Sequence, residues 1–360
     1  MTPATANPSS GSLRAALALG AAGAALWAAA LSLAGAGAAP ASSARAAGAG
    51  PPPALAPPAP PAPPGRGPDC TRTAVAMTPL SDLGRRRYRG YLGGLYARGA
   101  NRPPRRYLRA GLAQARRVVA LGPDGRPNAA GKVVLLSAGM SNANIEFDAF
   151  RARVGTAPRV NPRLVAVNGA QGGRDAESVV RDPAGYLAAS DQRLRAAGVT
   201  PAQVQVVWLK EAIANEAHLP GAGSFPGDAR RLSDDLRAIV ALLGAHYPNL
   251  RLVYLASRTY AGYASSPLNP EPFAYDSAFA VKWAIQARMA PRARGPWLGW
   301  GPYLWTDGVR GRRDGLRWTC ADVGPDGTHP SASGAAKVAG LLVAFFTTDR
   351  TARPWFTGAG

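Results

Sequence analysis

The sequence predicts a three-layer α/β/α sandwich on a mainly parallel sheet. Short apolar runs recur at residues 133–136, 163–167, 204–209 and 250–255. Segments of helical periodicity separate them, and strands alternating with helices at this spacing pair in parallel, with helices on both faces. Each run ends in a turn, and in such sheets the carboxyl ends of the strands gather the functional loops on one edge.

The chain begins differently. Residues 15–44 carry no charge and are mostly Ala, Gly and Leu, with Arg14 before them and Ser43-Ala44-Arg45-Ala46 as a small-residue cleavage site. That is a signal-peptide pattern; an uncleaved membrane anchor is its rival, because the run is long enough to span a bilayer. Residues 1–46 are therefore read as leader or anchor, and an exported protein is expected. Residues 47–68, almost wholly Pro, Ala and Gly, form a semi-rigid spacer. A basic arm at 69–130 and the main domain at 131–350 complete the division.

The formal net charge is +21, nearly all from arginine, since lysine occurs only at Lys132, Lys210, Lys282 and Lys337. Such a bias points to base composition rather than a selected nucleic-acid surface, and attraction to acidic envelope polymers is the remaining reading. The densest block, 85–117, holds eleven arginines among Tyr88, Tyr91, Tyr96 and Tyr107. It could track a phosphate backbone, but no nucleic-acid motif accompanies it. The expectation is a solvated face whose tyrosines pack inward, with no specific nucleic-acid partner.

Two cysteines, Cys70 and Cys320, form an even pair that in an exported chain predicts a disulfide. It would close a loop worth ~4 to 5 kcal/mol by chain entropy and pin the arm beside residues 320–330. Two free buried thiols are the alternative. Further elements are a helix over 104–119, another over 144–154, one starting at Ser233 and running to 243, one over 277–289, and a closing helix over 332–346.

The first strand runs into Gly139-Met140-Ser141-Asn142, which leaves Ser141 at its carboxyl end. A serine hydroxyl attacks only when a base takes its proton and a third group orients the base. Of three histidines, His246 ends an amphipathic helix and His218 lies in a loop. His329 sits in Asp326-Gly327-Thr328-His329, where a carboxylate three residues earlier on one turn can bond Nδ1–H.

In this order and spacing the chain resembles the SGNH (GDSL-type) hydrolase superfamily over residues 132–346. Gly139-Met140-Ser141-Asn142 is nearest the Gly-x-Ser-Asn form of the carbohydrate and sialate O-acetylesterase branch. The resemblance implies a flavodoxin-like sandwich, Ser141 as nucleophile, His329 as base and Asp326 as its orienter. It also implies that the Gly173 N–H, with Gly172 as near rival, joins the Ser141 N–H in binding the oxyanion. Beyond the third strand the superfamily carries an asparagine, whereas this chain has Lys210-Glu211-Ala212. Lys210 is then an electrostatic substitute, with Asn142 or Asn215 as other donors. Asn142, Arg258, Tyr260 and Trp305 are expected to contact substrate, the last from an aromatic run at 297–305 that can stack on sugar rings or, as an equal alternative, fill core under its loop.

The function expected is an exported serine esterase that removes ester groups, O-acetyl above all, from a polysaccharide or a small ester, with no metal and no cofactor. The membrane would be met only through an uncleaved leader. The alternative is an impaired protein that binds a glycan or envelope polymer on the same fold.

Overall fold

A computed structural model describes residues 67–156, 159–221 and 223–358. The leader or anchor, and all but two residues of the spacer, lie outside the described residues. Among the described residues no helix is long and apolar enough to cross a membrane.

In chain order the main elements are α1 (Arg105–Ala115), β1 (Val133–Gly139), α2 (Ser141–Val154), β2 (Leu164–Asn168), α3 (Ala176–Arg181), α4 (Pro183–Ala196), β3 (Val204–Lys210), α5 (Gly227–His246), β4 (Leu252–Leu255), α6 (Phe273–Arg288), β5 (Trp297–Trp300) and α7 (Ala332–Thr348). All five strands are parallel, in the order β2-β1-β3-β4-β5. The chain thus steps outward from β1 to β2 and returns past β1 to β3. Right-handed crossovers in opposite directions put their helices on opposite faces. Accordingly α2 packs on α7, while α5 packs on α3 and α6. The reversal opens a crevice at the carboxyl ends of β1 and β3.

Strands β1, β3, β4 and β5 are buried throughout, as continuous apolar runs covered on both faces should be. Phe147 of α2 stacks on Trp208 of β3 with ring centroids 5.8 Å apart. Three expectations need correction. The aromatic run at 297–300 is not a sugar-binding loop but β5, whose tryptophans fill the core and the seam with the arm. The helix expected from Ser233 begins six residues earlier, because Asp228, Ala229 and Leu232 already face the core and Ser233 is buried within it. Residues 176–196, unassigned from sequence, form α3 and α4, opened by Asp175 and Asp182, which accept from Ser178 and Gly185 N–H groups at 3.0 Å.

The arm covers the exposed edge of β5, which would otherwise present unpaired backbone groups. Tyr107 Oη donates to Leu298 O at 2.9 Å, Trp297 Nε1 donates to Tyr107 O at 3.1 Å, and Trp300 Nε1 donates to Leu95 O at 2.7 Å. Tyr88 and Tyr91 pack edge-on against Phe225, with ring centroids 5.0 and 5.3 Å apart. Cys70 and Cys320 are joined, closing a sequence separation of 250 residues. The strand of chain beside them is also held by Asp69 N–H to Tyr263 O at 3.0 Å and Tyr260 Oη to Arg72 O at 2.6 Å.

At the crevice β1 and β3 approach closely. Gly139 has φ +145°, and a Cβ there would lie 2.2 Å from Lys210 O. Gly139→Ala is expected to lower unfolding free energy by more than about 1 kcal/mol, read from urea denaturation of the two proteins.

Candidate active site

Three short segments meet at the crevice. The first is the turn from β1 into α2. Met140 caps α2 in extended conformation without a side-chain cap bond, so the first N–H groups of the helix stay free around Ser141. The second is the loop after β2 that carries Gly173, at φ +72°. The third is the turn before α7. There Gly327, at φ +65°, packs so tightly that a Cβ would lie 1.9 Å from Tyr263 O.

That turn delivers the histidine. His329 Nε2 lies 2.7 Å from Ser141 Oγ, and His329 Nδ1 lies 2.5 Å from Asp326 Oδ2. With its proton on Nδ1, the ring donates to Asp326 and presents a bare Nε2 to the serine hydroxyl. Asp326 Oδ1 also accepts from the backbone N–H groups of Thr328 and His329, each at 3.0 Å. Burial pushes the Asp326 carboxyl up, but these bonds and the imidazole outweigh it and hold the group well below the ordinary carboxylate range. Such an arrangement can move a proton from Ser141 to His329 while the charge on the ring is balanced.

Ser141 and His329 line a pocket of about 540 Å³, with Asp326 behind the histidine. Gly173, Asn215, Arg258 and Asn269 line it with them. Of the sequence-predicted site residues, Ser141, Asp326 and His329 are brought together, and Gly173 and Arg258 reach the pocket. Asn142 also lines it, but its Nδ2 donates to Thr328 O at 2.8 Å and the residue is buried. It acts as a strut between the serine helix and the histidine turn, a positioning residue.

Three expected contacts are absent. Lys210 is not an oxyanion donor: it is fully buried, its Nζ 2.5 and 2.6 Å from the two carboxylate oxygens of Glu146 on α2. The last residue of β3 points its side chain under the helix, and the ammonium is spent on a neighbour. Burial pushes Lys210 down to about 8, with Glu146 opposing that shift. Tyr260 is also buried, bonded to the arm. Trp305 is fully buried and donates from Nε1 to Glu271 at 2.8 Å. The two rings sit on different segments, after β4 and after β5, and the arm lies against both, through Tyr260 Oη to Arg72 O and the Val75 N–H to Asp307 Oδ1 at 2.7 Å.

Glu211, which follows Lys210, is buried with no hydrogen-bond partner on either oxygen among the described residues. Burial raises its carboxyl well above the ordinary range, which favours the uncharged acid. Asn215 is the remaining donor. It stands in left-handed conformation, φ 55°, lines the pocket, and its carboxamide has no protein partner among the described residues. Glu146 and Asn269 went unread because nothing in their local sequence marks them; only the fold brings them to the site.

Substitutions separate these roles. Lys210→Met is expected to cost about 3–5 kcal/mol by stranding Glu146, with Lys210→Met/Glu146→Leu recovering most of it, as chemical denaturation would show. Asn142→Ala is expected to lower the melting temperature, because it cuts the strut to the histidine turn, whereas Asn215→Ala, whose carboxamide has no partner among the described residues, should leave it unchanged.

No family model matches the chain, and no curated protein matches it. Solved structures similar to it include a lipase from a goat rumen metagenome, 12% identical, covering 61% of this chain and 100% of its own, with a TM-score of 0.36. Another is an alpha/beta hydrolase enzyme from the metagenome of Lake Arreo, Spain, 14% identical, covering 63% of this chain and 97% of its own, TM-score 0.37. A third, from Slackia heliotrinireducens, is classed as an SGNH hydrolase and is 18% identical, covering 60% of this chain and 99% of its own, TM-score 0.32. The chain itself has the α/β/α sandwich on a parallel sheet that its sequence predicts, and solved hydrolases, one of SGNH type among them, are what it is similar to.

Proposed function

We propose that the chain is a serine ester hydrolase of SGNH type. One observation carries the reading: the unbroken line from Asp326 through His329 to Ser141, at 2.5 and 2.7 Å, opening into a pocket at the carboxyl edge of the sheet. Ser141 Oγ attacks the ester carbonyl as His329 Nε2 takes its proton. The tetrahedral oxyanion is met by the Ser141 and Gly173 N–H groups and by the Asn215 carboxamide. His329 then protonates the departing alcohol, and Asp326 stabilises the imidazolium throughout. Water, deprotonated by the same histidine, cleaves the acyl-enzyme and restores the serine.

Within that class, the substrate proposed is an O-acyl group, acetyl above all, on a carbohydrate. The Gly-x-Ser-Asn form at residues 139–142 supports it; the aromatic run gives it no support, since Trp297, Trp300 and Trp305 are 7%, 5% and 0% exposed. Export is proposed on the leader pattern, and the paired cysteines accord with an oxidising compartment.

The test is hydrolysis of 4-nitrophenyl acetate by the purified protein beside Ser141→Ala and His329→Ala. Both variants are expected to lose on the order of 10⁴-fold or more in kcat, since each removes a member of one catalytic unit. Three folded and equally inert proteins would set the esterase aside in favour of a polymer-binding role.

A further inference from the structure

We propose that Arg258 makes this pocket selective for esters that carry a carboxylate near the scissile bond. The proposal rests on the esterase reading of Ser141 and names the substrate class of that same site.

Arg258 lies just past β4, lines the pocket, and is 1% exposed. Of its five N–H donors, only Nε has an acceptor, Asn269 Oδ1 at 3.1 Å. The four Nη–H groups find none among the described residues. No carboxylate stands within ion-pair distance of this guanidinium among the described residues, although four acids are close enough for their fields to reach it: Glu146, Glu271, Asp326 and Glu211.

Each of the four is engaged elsewhere or neutral. Glu146 is held by Lys210. Glu271 accepts from the Ala261 N–H at 2.9 Å and Trp305 Nε1 at 2.8 Å on one oxygen, and from the Tyr275 N–H at 3.0 Å on the other. Asp326 belongs to His329 and its turn. Glu211 is buried with neither oxygen bonded, an environment that favours the uncharged acid. What remains is a largely buried cation in the pocket wall without an anion of its own among the described residues. A buried charge left unpaired is strongly destabilising, and a ligand that brings the missing charge recovers that loss on binding.

The chemistry of the donors selects the ligand. Guanidinium N–H groups set in a planar fork match the two oxygens of a carboxylate. The rest of the wall is balanced in charge, Arg174 and Arg181 against Asp175 and Glu177, and Arg174 is itself paired with Asp182 at 3.0 Å. Asp175 is engaged by the backbone, its two oxygens accepting from the Ser178 and Ala214 N–H groups at 3.0 and 2.9 Å. The carboxylate can sit on the acyl part, as in a half-ester of a dicarboxylic acid, or on the alcohol part, as in an acylated sugar acid.

Two pairs of chromogenic esters distinguish these sources, each corrected for spontaneous hydrolysis. For the acyl side, 4-nitrophenyl hydrogen succinate is compared with 4-nitrophenyl butyrate. For the alcohol side, 3-carboxy-4-nitrophenyl acetate is compared with 4-nitrophenyl acetate. The wild type is expected to favour the carboxylate member of one pair by about tenfold or more in kcat/KM, the scale of a charge-assisted hydrogen bond. The ratio should fall toward one in Arg258→Gln and be partly kept in Arg258→Lys. Asn269→Asp, which gives the guanidinium an internal anion while giving up the Nδ2 donation to Ile213 O at 3.2 Å, should also collapse the ratio if Arg258→Gln fails to fold. A wild-type ratio of one or less in both pairs, with the neutral esters still cleaved, overturns the proposal and leaves the esterase standing. If no ester is cleaved, calorimetric titration with succinate and with benzoate decides: binding lost in Arg258→Gln supports the anion site without the esterase, and no binding to wild type overturns it.

Discussion

The site depends on how closely β1 can approach β3. Their carboxyl ends meet where Gly139 faces the Lys210 carbonyl, a spacing that excludes any side chain at 139. The approach brings the loops after β1, β2 and β3 to one edge, which is where the reversal of strand order leaves space. It also fixes the helix that carries Ser141, because Lys210 leaves the end of β3 and pairs with Glu146, one and a half turns into α2. Helix, strand and nucleophile are thereby held as one unit, through a contact that water does not reach.

The histidine comes from almost two hundred residues away and is held with equal care. Its turn is gripped on one side by the Tyr263 backbone, against which Gly327 lies, and on the other by Asn142, which donates to Thr328 O. Asn142 directly follows the nucleophile, so the strut shares a backbone with the group it positions. The disulfide and the first residues of the arm lie against the same region of the chain, where Asp69 bonds Tyr263. The arm therefore covers the β5 edge and braces the loops beside the acid and the base. Its tyrosines serve that packing, which leaves the arginines among them to solvent and to the backbone carbonyls they can reach.

Buried charge is unevenly distributed around the pocket. One lysine has a carboxylate, one glutamate sits where burial favours its uncharged form, and one arginine has no anion among the described residues. A structure gains little from such an arrangement unless a ligand completes it, because each unpaired ion buried in the fold costs stability. The pocket is thus polar where Arg258 and Asn269 form its wall, and the aromatic residues that could have made it a stacking surface are committed to the core and the arm.

The sequence by itself determined the layers and singled out Ser141, Asp326 and His329, which the fold brings together. Apolar runs buried on both faces are continuous and bounded, so four strands could be read from local pattern; Asp326 and His329 could be paired because they stand three residues apart on one turn, and Ser141 was marked by its place at the carboxyl end of a strand. The fifth strand was hidden, since an aromatic run reads equally well as a loop or as a buried edge until the arm that covers it is in place. The roles of Lys210, Tyr260 and Trp305 were likewise undetermined, because a polar or aromatic side chain at a strand end can turn toward the pocket or beneath a helix. Only tertiary structure decided that, by setting Glu146 against Lys210 and the Arg72 backbone against Tyr260, and by leaving Arg258 without an anion among the described residues. The physical reason is range: strand and turn signals act over a few residues, whereas the partner of a buried charge is chosen by packing between segments far apart in the chain.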